Sequence, residues 1–394
     1  MRRHVLWMAA TMLSAVLLAL GIGHTLPRGE QLLFSSADNW QADHWNIFVL
    51  DVGRGVTQRL LTSRTDTTPG FPVVWSPDGA QIAYLSNQAN PETYLADSLG
   101  KDPRRLTGDP TDSEYNAVWS PDGTQLAFIG EQDGQHDVYL AARDGSNPQK
   151  LTTGTRSFRS LVWSPDNRYL ALESLALADV DIYKLDTENG DLTNLTRFPG
   201  NEVRPSWSPD GQQIAFLASR NSGNFGNTRY DLYIMDSNGG HVRRYTTTFP
   251  ADLSWGMNWS PDGTRIVLGS TSWLGGSDIY LIDVAYKLAR NITRDNTRDG
   301  SAEWSPDGKW IAFESRQTGV WQIDLMSADG WKRRQLTHDG VDSRHPVWSP
   351  DGQSVIYTSN PNRNWDLYRM DVHSVSTERM TLSRTIEFFP IWRP

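Results

Sequence analysis

From Gln31 onward the chain is a succession of short apolar runs separated by Gly, Asn, Asp, Pro and Ser, and no run repeats its apolar positions at helical spacing. The runs fall into recurring types. One type reads Gln81-Ile82-Ala83-Tyr84, Gln125-Leu126-Ala127-Phe128, Gln213-Ile214-Ala215-Phe216 and Trp310-Ile311-Ala312-Phe313. A second reads Asp137-Val138-Tyr139, Asp181-Ile182-Tyr183, Asp231-Leu232-Tyr233, Asp278-Ile279-Tyr280 and Asp366-Leu367-Tyr368. A third ends in Leu-Thr, as at Leu106-Thr107, Leu151-Thr152, Leu195-Thr196 and Leu336-Thr337. Such β-branched and aromatic runs, bounded by turn formers, predict short antiparallel strands. The second and third types keep a constant separation of 14 residues, from Asp137 to Leu151 through Asp366 to Met380. Glu92 to Leu106, Gln322 to Leu336 and Asn46 to Leu60 share it with another first residue.

A further strand ends at Trp75, Trp119, Trp163, Trp207, Trp259, Trp304 and Trp348. Each Trp is followed by Ser-Pro-Asp-Gly, or by Ser-Pro-Asp-Asn after Trp163. Pro suits the second position of a type I turn, Asp the third, and Gly or Asn the left-handed residue that follows. The motif is therefore a hairpin connector. Successive tryptophans lie 44, 44, 44, 52, 45 and 44 residues apart. Four strands in about 44 residues match one propeller blade. Trp392 falls 44 residues after Trp348, where the next motif belongs, while Gln31–Phe34, Asn46–Leu50 and Arg59-Leu60 supply three strands with no first one. The expectation is an all-β propeller of eight four-stranded blades, the eighth shared between Ile386–Trp392 and the N-terminal strands. Seven blades are the alternative, with the N-terminal strands added to an existing sheet. Blade four carries extra residues within Ser219–Asn227, and the connection before Trp259 contains Trp255 and is two residues longer than usual.

The succession Trp-Ser-Pro-Asp-Gly, Gln-Ile-Ala-Phe, Asp-Leu-Tyr, Arg-Leu-Thr resembles the TolB-like WD-type propeller repeat over essentially residues 31 to 394. The resemblance implies the fold and gives motif residues such as Trp75, Pro77, Asp78 and Gly79 a structural role. It is compatible with several activities: envelope binding proteins, propellers of prolyl-oligopeptidase-type peptidases, sensor domains of membrane kinases, and some polysaccharide lyases. The chain departs from TolB itself, because blade strands begin at Gln31 where TolB has a separate α/β domain, and because TolB's propeller has six blades.

Ahead of the strands, Val5–Gly23 is apolar apart from Thr11 and Ser14, and Arg2 and Arg3 precede it. Residues 1–24 are expected to form a signal anchor or a cleaved signal peptide, with 25–394 as the propeller domain outside the cytoplasm. That makes the chain a single-pass membrane protein with an extracytoplasmic domain, or a periplasmic or secreted one after cleavage at the small residues Ala19–Gly23. The net charge of -9 argues against nucleic acid as a partner. Without Cys there are no disulfides or thiolate metal sites.

Catalytic signatures are sparse. There is no Gly-x-Ser-x-Gly elbow, no His-Glu-x-x-His and no Gly-rich phosphate loop. The repeated Asp residues read as turn and strand elements, so no catalytic residue, metal or cofactor is expected. His338 and His345 share one connection, an arrangement a metal-assisted lyase could use. Binding chemistry is expected where non-repeated residues precede each motif Trp. These are Glu114, Tyr115, Arg159, Glu202, Arg204, Trp255, Asp299, Arg344, His345 and Glu387. Mixed charge and aromatic character suits a peptide, a protein loop or a sugar. The expected function is a monomeric, membrane-tethered propeller scaffold that binds a protein or polysaccharide ligand. A polysaccharide lyase, or a sensor or accessory subunit of a separate peptidase, kinase or transporter, are the alternatives.

Overall fold

A computed structural model describes residues 31–37, 46–53, 55–60, 73–87, 91–106, 113–154, 156–174, 179–219, 230–246, 256–271, 276–295 and 297–394. The N-terminal apolar run, residues 220–227 of the blade-four insertion, and Trp255 lie outside them. No helix among the described residues is long and apolar enough to cross a membrane.

Every regular element among the described residues is a strand, and the strands form eight antiparallel four-stranded sheets. They are the eight expected blades, each with strands A to D in order. Strand A is Val74–Trp75 in blade 1, Ser113–Trp119 in blade 2, Phe158–Trp163 in blade 3 and Asn201–Trp207 in blade 4. It is Met257–Trp259 in blade 5, Asp299–Trp304 in blade 6, Ser343–Trp348 in blade 7 and Ile386–Trp392 in blade 8. Blades 1 to 4 make one compact unit, within Phe71–Ala251. Blades 5 to 8 make another, from Asp252–Pro394 and the strands before Gly70. Blade 8 is the shared sheet: Gln31–Ala37 pairs on one side with Asn46–Asp51 and on the other with Ile386–Trp392.

The motif turns close as the sequence dictates. In blade 1, Ser76 Oγ donates to Asp78 Oδ1 at 2.7 Å, the same Oδ1 accepts the Ala80 N–H, and Ser76 Oγ accepts the Gln81 N–H. The Gly79 N–H returns to the Ser76 carbonyl, with Gly79 at φ 65°. The other motif copies repeat the Ser–Asp contact, for example Ser208–Asp210 and Ser349–Asp351, each at 2.6 Å. One oxygen of the motif Asp, Oδ1, is thus engaged by its own turn, while Asp78 Oδ2 pairs with Arg143 of blade 2 at 2.6 Å.

The motif Trp is what binds one blade to its neighbour. Trp207 packs on Ala171, Ile182 and Leu195 of blade 3, and Trp348 on Ala312, Ile323 and Leu336 of blade 6. In four blades its indole N–H donates to the carbonyl just before the previous motif Trp: Trp163 to Val118, Trp207 to Val162, Trp304 to Asn258 and Trp348 to Glu303, all at 3.1–3.2 Å. The Thr of each Leu-Thr pair has a role of its own. The hydroxyls of Thr152, Thr196, Thr246, Thr293, Thr337 and Thr381 accept the strand-C N–H that would otherwise lack a partner where strand D ends.

Candidate functional site

Strand A is not regular. Its pairing with strand B shifts register in blades 2, 3, 4, 6 and 7, and in blade 8 where Gln31–Ala37 serves as strand B. In blades 2, 4, 5, 6, 7 and 8 the residue three before the terminal Trp has positive φ: Asn116, Arg204, Gly256, Ser301, His345 and Phe389, between 49° and 80°. Bulges of this kind re-aim side chains and gather at binding sites. Here the bulge splits the expected site residues into two sets.

Five residues before the Trp, side chains turn inward. Glu114, Glu202, Asp299 and Glu387 are all buried, at 2 % exposure or less. Glu114 accepts the Thr93 N–H of blade 1 at 3.0 Å, and Glu387 accepts the Thr381 hydroxyl of blade 7. Neither Glu202 oxygen has a hydrogen bond of acceptable geometry among the described residues. Burial, with the charges of Asp181 and Asp179 adding to it, pushes Glu202 up to about 7 against the pull of the Thr196 hydroxyl. These four acids sit in the seam between successive blades.

Three and four residues before the Trp, the side chains of Tyr115, Asn116, Arg159, Arg204, Arg344, His345 and Phe389 are half-buried, and each unit gathers one group of such residues. In the unit of blades 1 to 4 the centre is Glu173 on strand B of blade 3. It accepts Arg159 Nε at 2.9 Å and the bulged Arg204 N–H at 2.6 Å. Asn116 donates to the Arg159 carbonyl at 2.7 Å, and Tyr230 lies close enough for its phenol to sense Arg159, Glu173 and Arg204. Tyr115 stacks on His136 and donates to Glu131 at 2.7 Å.

In the unit of blades 5 to 8 the centre is Glu314, at the matching position of blade 6. It accepts Arg344 at 3.0 Å and the bulged His345 N–H at 2.7 Å. Burial alone would raise Glu314, but the Arg344 charge and the His345 N–H outweigh it and hold the carboxyl below its ordinary range. Arg344 lies over the Trp321 ring at 4.7 Å. His345 sits edge-on to Phe388 at 5.4 Å and against Phe389 at 5.5 Å, and Trp365 packs on Phe388 at 5.0 Å. Burial pushes His345 down to about 4, so the ring is neutral at pH 7. Arg344 and His345 thus belong to one group with Phe388, and with Trp321, Trp365 and Phe389, which the sequence did not single out. Glu173 and Glu314 were also missed. Their one signal is an acid where the other strand-B copies carry Leu85, Ile129, Leu217, Gly269 or Thr358.

A carboxylate cluster lies between blades 5 and 6. Ligand oxygens of Asp278, Asp295 and Asp299 are within 4.8 Å of one another, the one group of three such residues among those described. Arg333 reaches Asp324 at 2.6 Å, Asp295 at 2.9 Å and Asp299 at 3.7 Å. Burial pushes Asp299 up to about 7. His338 and His345 belong to no group of three metal-ligating side chains among the described residues. An exposed pair also went unread in the sequence: Trp331, 67 % exposed, under the Arg290 guanidinium at 4.5 Å.

Eight four-stranded sheets with a Ser-Pro-Asp-Gly turn after six strands A and Ser-Pro-Asp-Asn after a seventh define a β-propeller-repeat protein. Within that class, residues 251–394 match the family described as TolB beta propeller domain, and the chain is TolB-like in its repeats. An uncharacterized protein of Agrobacterium fabrum is 34% identical over 25% of this chain and 32% of its own length. The Tol-Pal system protein TolB of Gluconobacter oxydans is 30% identical over 30% of this chain and 34% of its own. The chain thus spans about a third of the length of the curated relatives it matches. Among solved structures, an oligogalacturonate lyase in complex with manganese superposes over 89% of this chain and 100% of its own, with TM-score 0.56 and 15% identity. Porphyromonas gingivalis dipeptidyl peptidase 4 does so over 83% and 55%, with TM-score 0.59 and 12% identity. At such identity these structures speak for the fold alone.

Proposed function

We propose that this protein is an extracytoplasmic propeller scaffold that binds a protein ligand through the half-buried residues of its strand-A bulges. The observation that carries the reading is the group around Glu314. Arg344 is held between a buried carboxylate and the Trp321 face, and His345, neutral, is set among Phe388, Phe389 and Trp365. Arg and aromatic side chains pre-positioned in this way are the usual anchors of protein interfaces, since little side-chain entropy remains to be lost on binding. The group around Glu173 offers Arg159, held by a buried carboxylate in the same way. Arg2 and Arg3 ahead of the apolar run Val5–Gly23 support export, with the run as membrane tether or cleaved signal, and so a cell-envelope or periplasmic location. The Gluconobacter relative is a Tol-Pal system protein, which makes envelope proteins the first ligands to screen.

Site-directed photo-crosslinking in intact cells tests this. Probes at Trp321 and at Arg344 are expected to yield the same discrete protein adduct, and a probe at the motif-turn residue Asp351 none. Adducts absent from both site positions, or equal at Asp351, would remove the bulge face as the binding surface. No observation among the described residues favours the lyase reading over this one.

A further inference from the structure

We infer that Asp278, Asp295 and Asp299 form a binding site for a calcium-sized divalent cation in the seam between blades 5 and 6. Two independent features lead there. The first is spacing: oxygens of the three carboxylates lie within 4.8 Å of one another. Calcium takes oxygen ligands at about 2.3–2.6 Å in flexible geometry, so oxygens anywhere within that separation can share one ion, whereas magnesium demands a near-ideal octahedron. An all-carboxylate set without His or Cys also selects a hard cation.

The second feature is Asp299 itself. Its side chain is fully buried, it belongs to the cluster, and neither of its oxygens has a hydrogen bond of acceptable geometry among the described residues. Arg333 stands 3.7 Å from Oδ1, too far for one. The guanidinium is committed instead to Asp324 at 2.6 Å and Asp295 at 2.9 Å, with a third bond to Ser315 at 2.7 Å. One positive charge in contact therefore faces four carboxylates. A buried carboxylate whose counter-charge stands no nearer than 3.7 Å is costly to ionise, and a divalent cation would supply both a closer charge and a ligand field.

The repeat sharpens the case. Asp278 occupies the strand-C position that is Asp in most blades, and Asp299 the strand-A position that is acidic in four. Asp295, nine residues before Trp304, has an acidic counterpart in Asp339 of blade 7 but none at Phe198 of blade 4 or Ser383 of blade 8. Arg333, three before Leu336, matches Pro103, Pro148, Leu192, Val242, Ala289 and Thr377 elsewhere. Repeat geometry alone does not account for Arg333. In blades 2, 4 and 7 the neighbouring strand D neutralises the strand-C Asp one to one, as Lys150 does Asp137, Arg244 does Asp231 and Arg379 does Asp366, each at 2.7 Å, whereas in blade 3 Asp181 faces the neutral Asn194 at 3.0 Å. At the corresponding place beside Asp278 stands the neutral Asn291.

The test is equilibrium dialysis of the chelator-treated full chain against radioactive calcium chloride, with Asp295→Asn and Asp278→Asn alongside. The expected result is a saturable site, one per chain, with a dissociation constant of about 10⁻⁴–10⁻³ M as for extracellular calcium modules. Each Asn variant should weaken that site at least tenfold while melting within a few degrees of the wild type in chelator. A cation held here should also raise the melting temperature of the wild type, with magnesium chloride giving a smaller rise at equal concentration. Absence of saturable calcium binding, or undiminished binding in whichever variants fold, would leave the cluster as an Arg333-centred ion network and overturn the inference.

Discussion

A single glutamate illustrates how the repeat is used for more than folding. Glu202 is fully buried, its strand-A counterpart in blade 3 is Phe158, and its carboxyl is pushed up to about 7 from 4.5. In the unfolded chain it ionises near the ordinary value. Between about pH 4.5 and 7 the folded state therefore holds a proton that the unfolded state has released, so stability falls as pH rises through that window and stays reduced above it. A shift of this size corresponds to about 3 kcal/mol. Glu202→Gln presents a similar neutral amide at every pH. It should melt above the wild type at pH 8.5 and equal to it near pH 4.5. Paired melts across that range measure the difference. A gap that stays constant with pH would mean that Glu202 finds a counter-charge when it ionises.

At the scale of the element, the motif Trp makes a strand end into a joint. Trp348 is 6 % exposed, packs across three strands of blade 6 and donates to the Glu303 carbonyl. Trp331, in the C–D turn of blade 6, is mostly exposed. Truncating a large buried aromatic costs about 3–5 kcal/mol, so Trp348→Ala should lower the melting temperature by several degrees and Trp331→Ala by a degree or less. Equal shifts in thermal melts would contradict the joint. This part of the structure was legible in the sequence, because turn chemistry and Trp spacing recur seven times and each recurrence repeats the evidence. The bulge one turn earlier was not. Its residues are Asn116, Arg204, Gly256, Ser301, His345 and Phe389, which share a backbone conformation and no side-chain chemistry. A bulge changes which way a side chain points, so the sequence could name the positions before each Trp but not sort Glu202, which turns in, from Arg204, which does not. Glu173, Glu314 and Arg333 escaped for a related reason: what they do depends on a partner in another strand, at a sequence separation no period reveals.

At the scale of the whole molecule, the ends of the described chain are stitched into one sheet. Leu32 pairs with Trp392, Leu33 with Ile391 and Ala37 with Ile386. The Arg393 N–H donates to the Gln31 carbonyl at 2.8 Å, and Ser36 Oγ to Thr385 at 2.6 Å. Blade 8 therefore cannot be completed from either end alone, and its last strand carries a large share of the local core. Phe388 and Trp392 are each 2 % exposed, the first packed with Ala37 and Ile386, the second with Leu32, Phe34, Ile356 and Leu367. A chain ending at Ser383 loses all of this. It leaves Gln31–Ala37, with Leu32, Leu33 and Phe34 upon it, as an unpaired edge, and it removes the lid from the blade-7 side chains Ile356 and Leu367. An open apolar edge is a template for pairing with other chains. The truncated chain should melt well below the full chain and enter aggregates on heating, which light scattering during a thermal ramp will register. The alternative is an unchanged melting temperature without aggregation. That would mean that Gln31–Ala37 and its two partners hold together without strand A, and that the joining of the two ends adds no stability to the blades beside it.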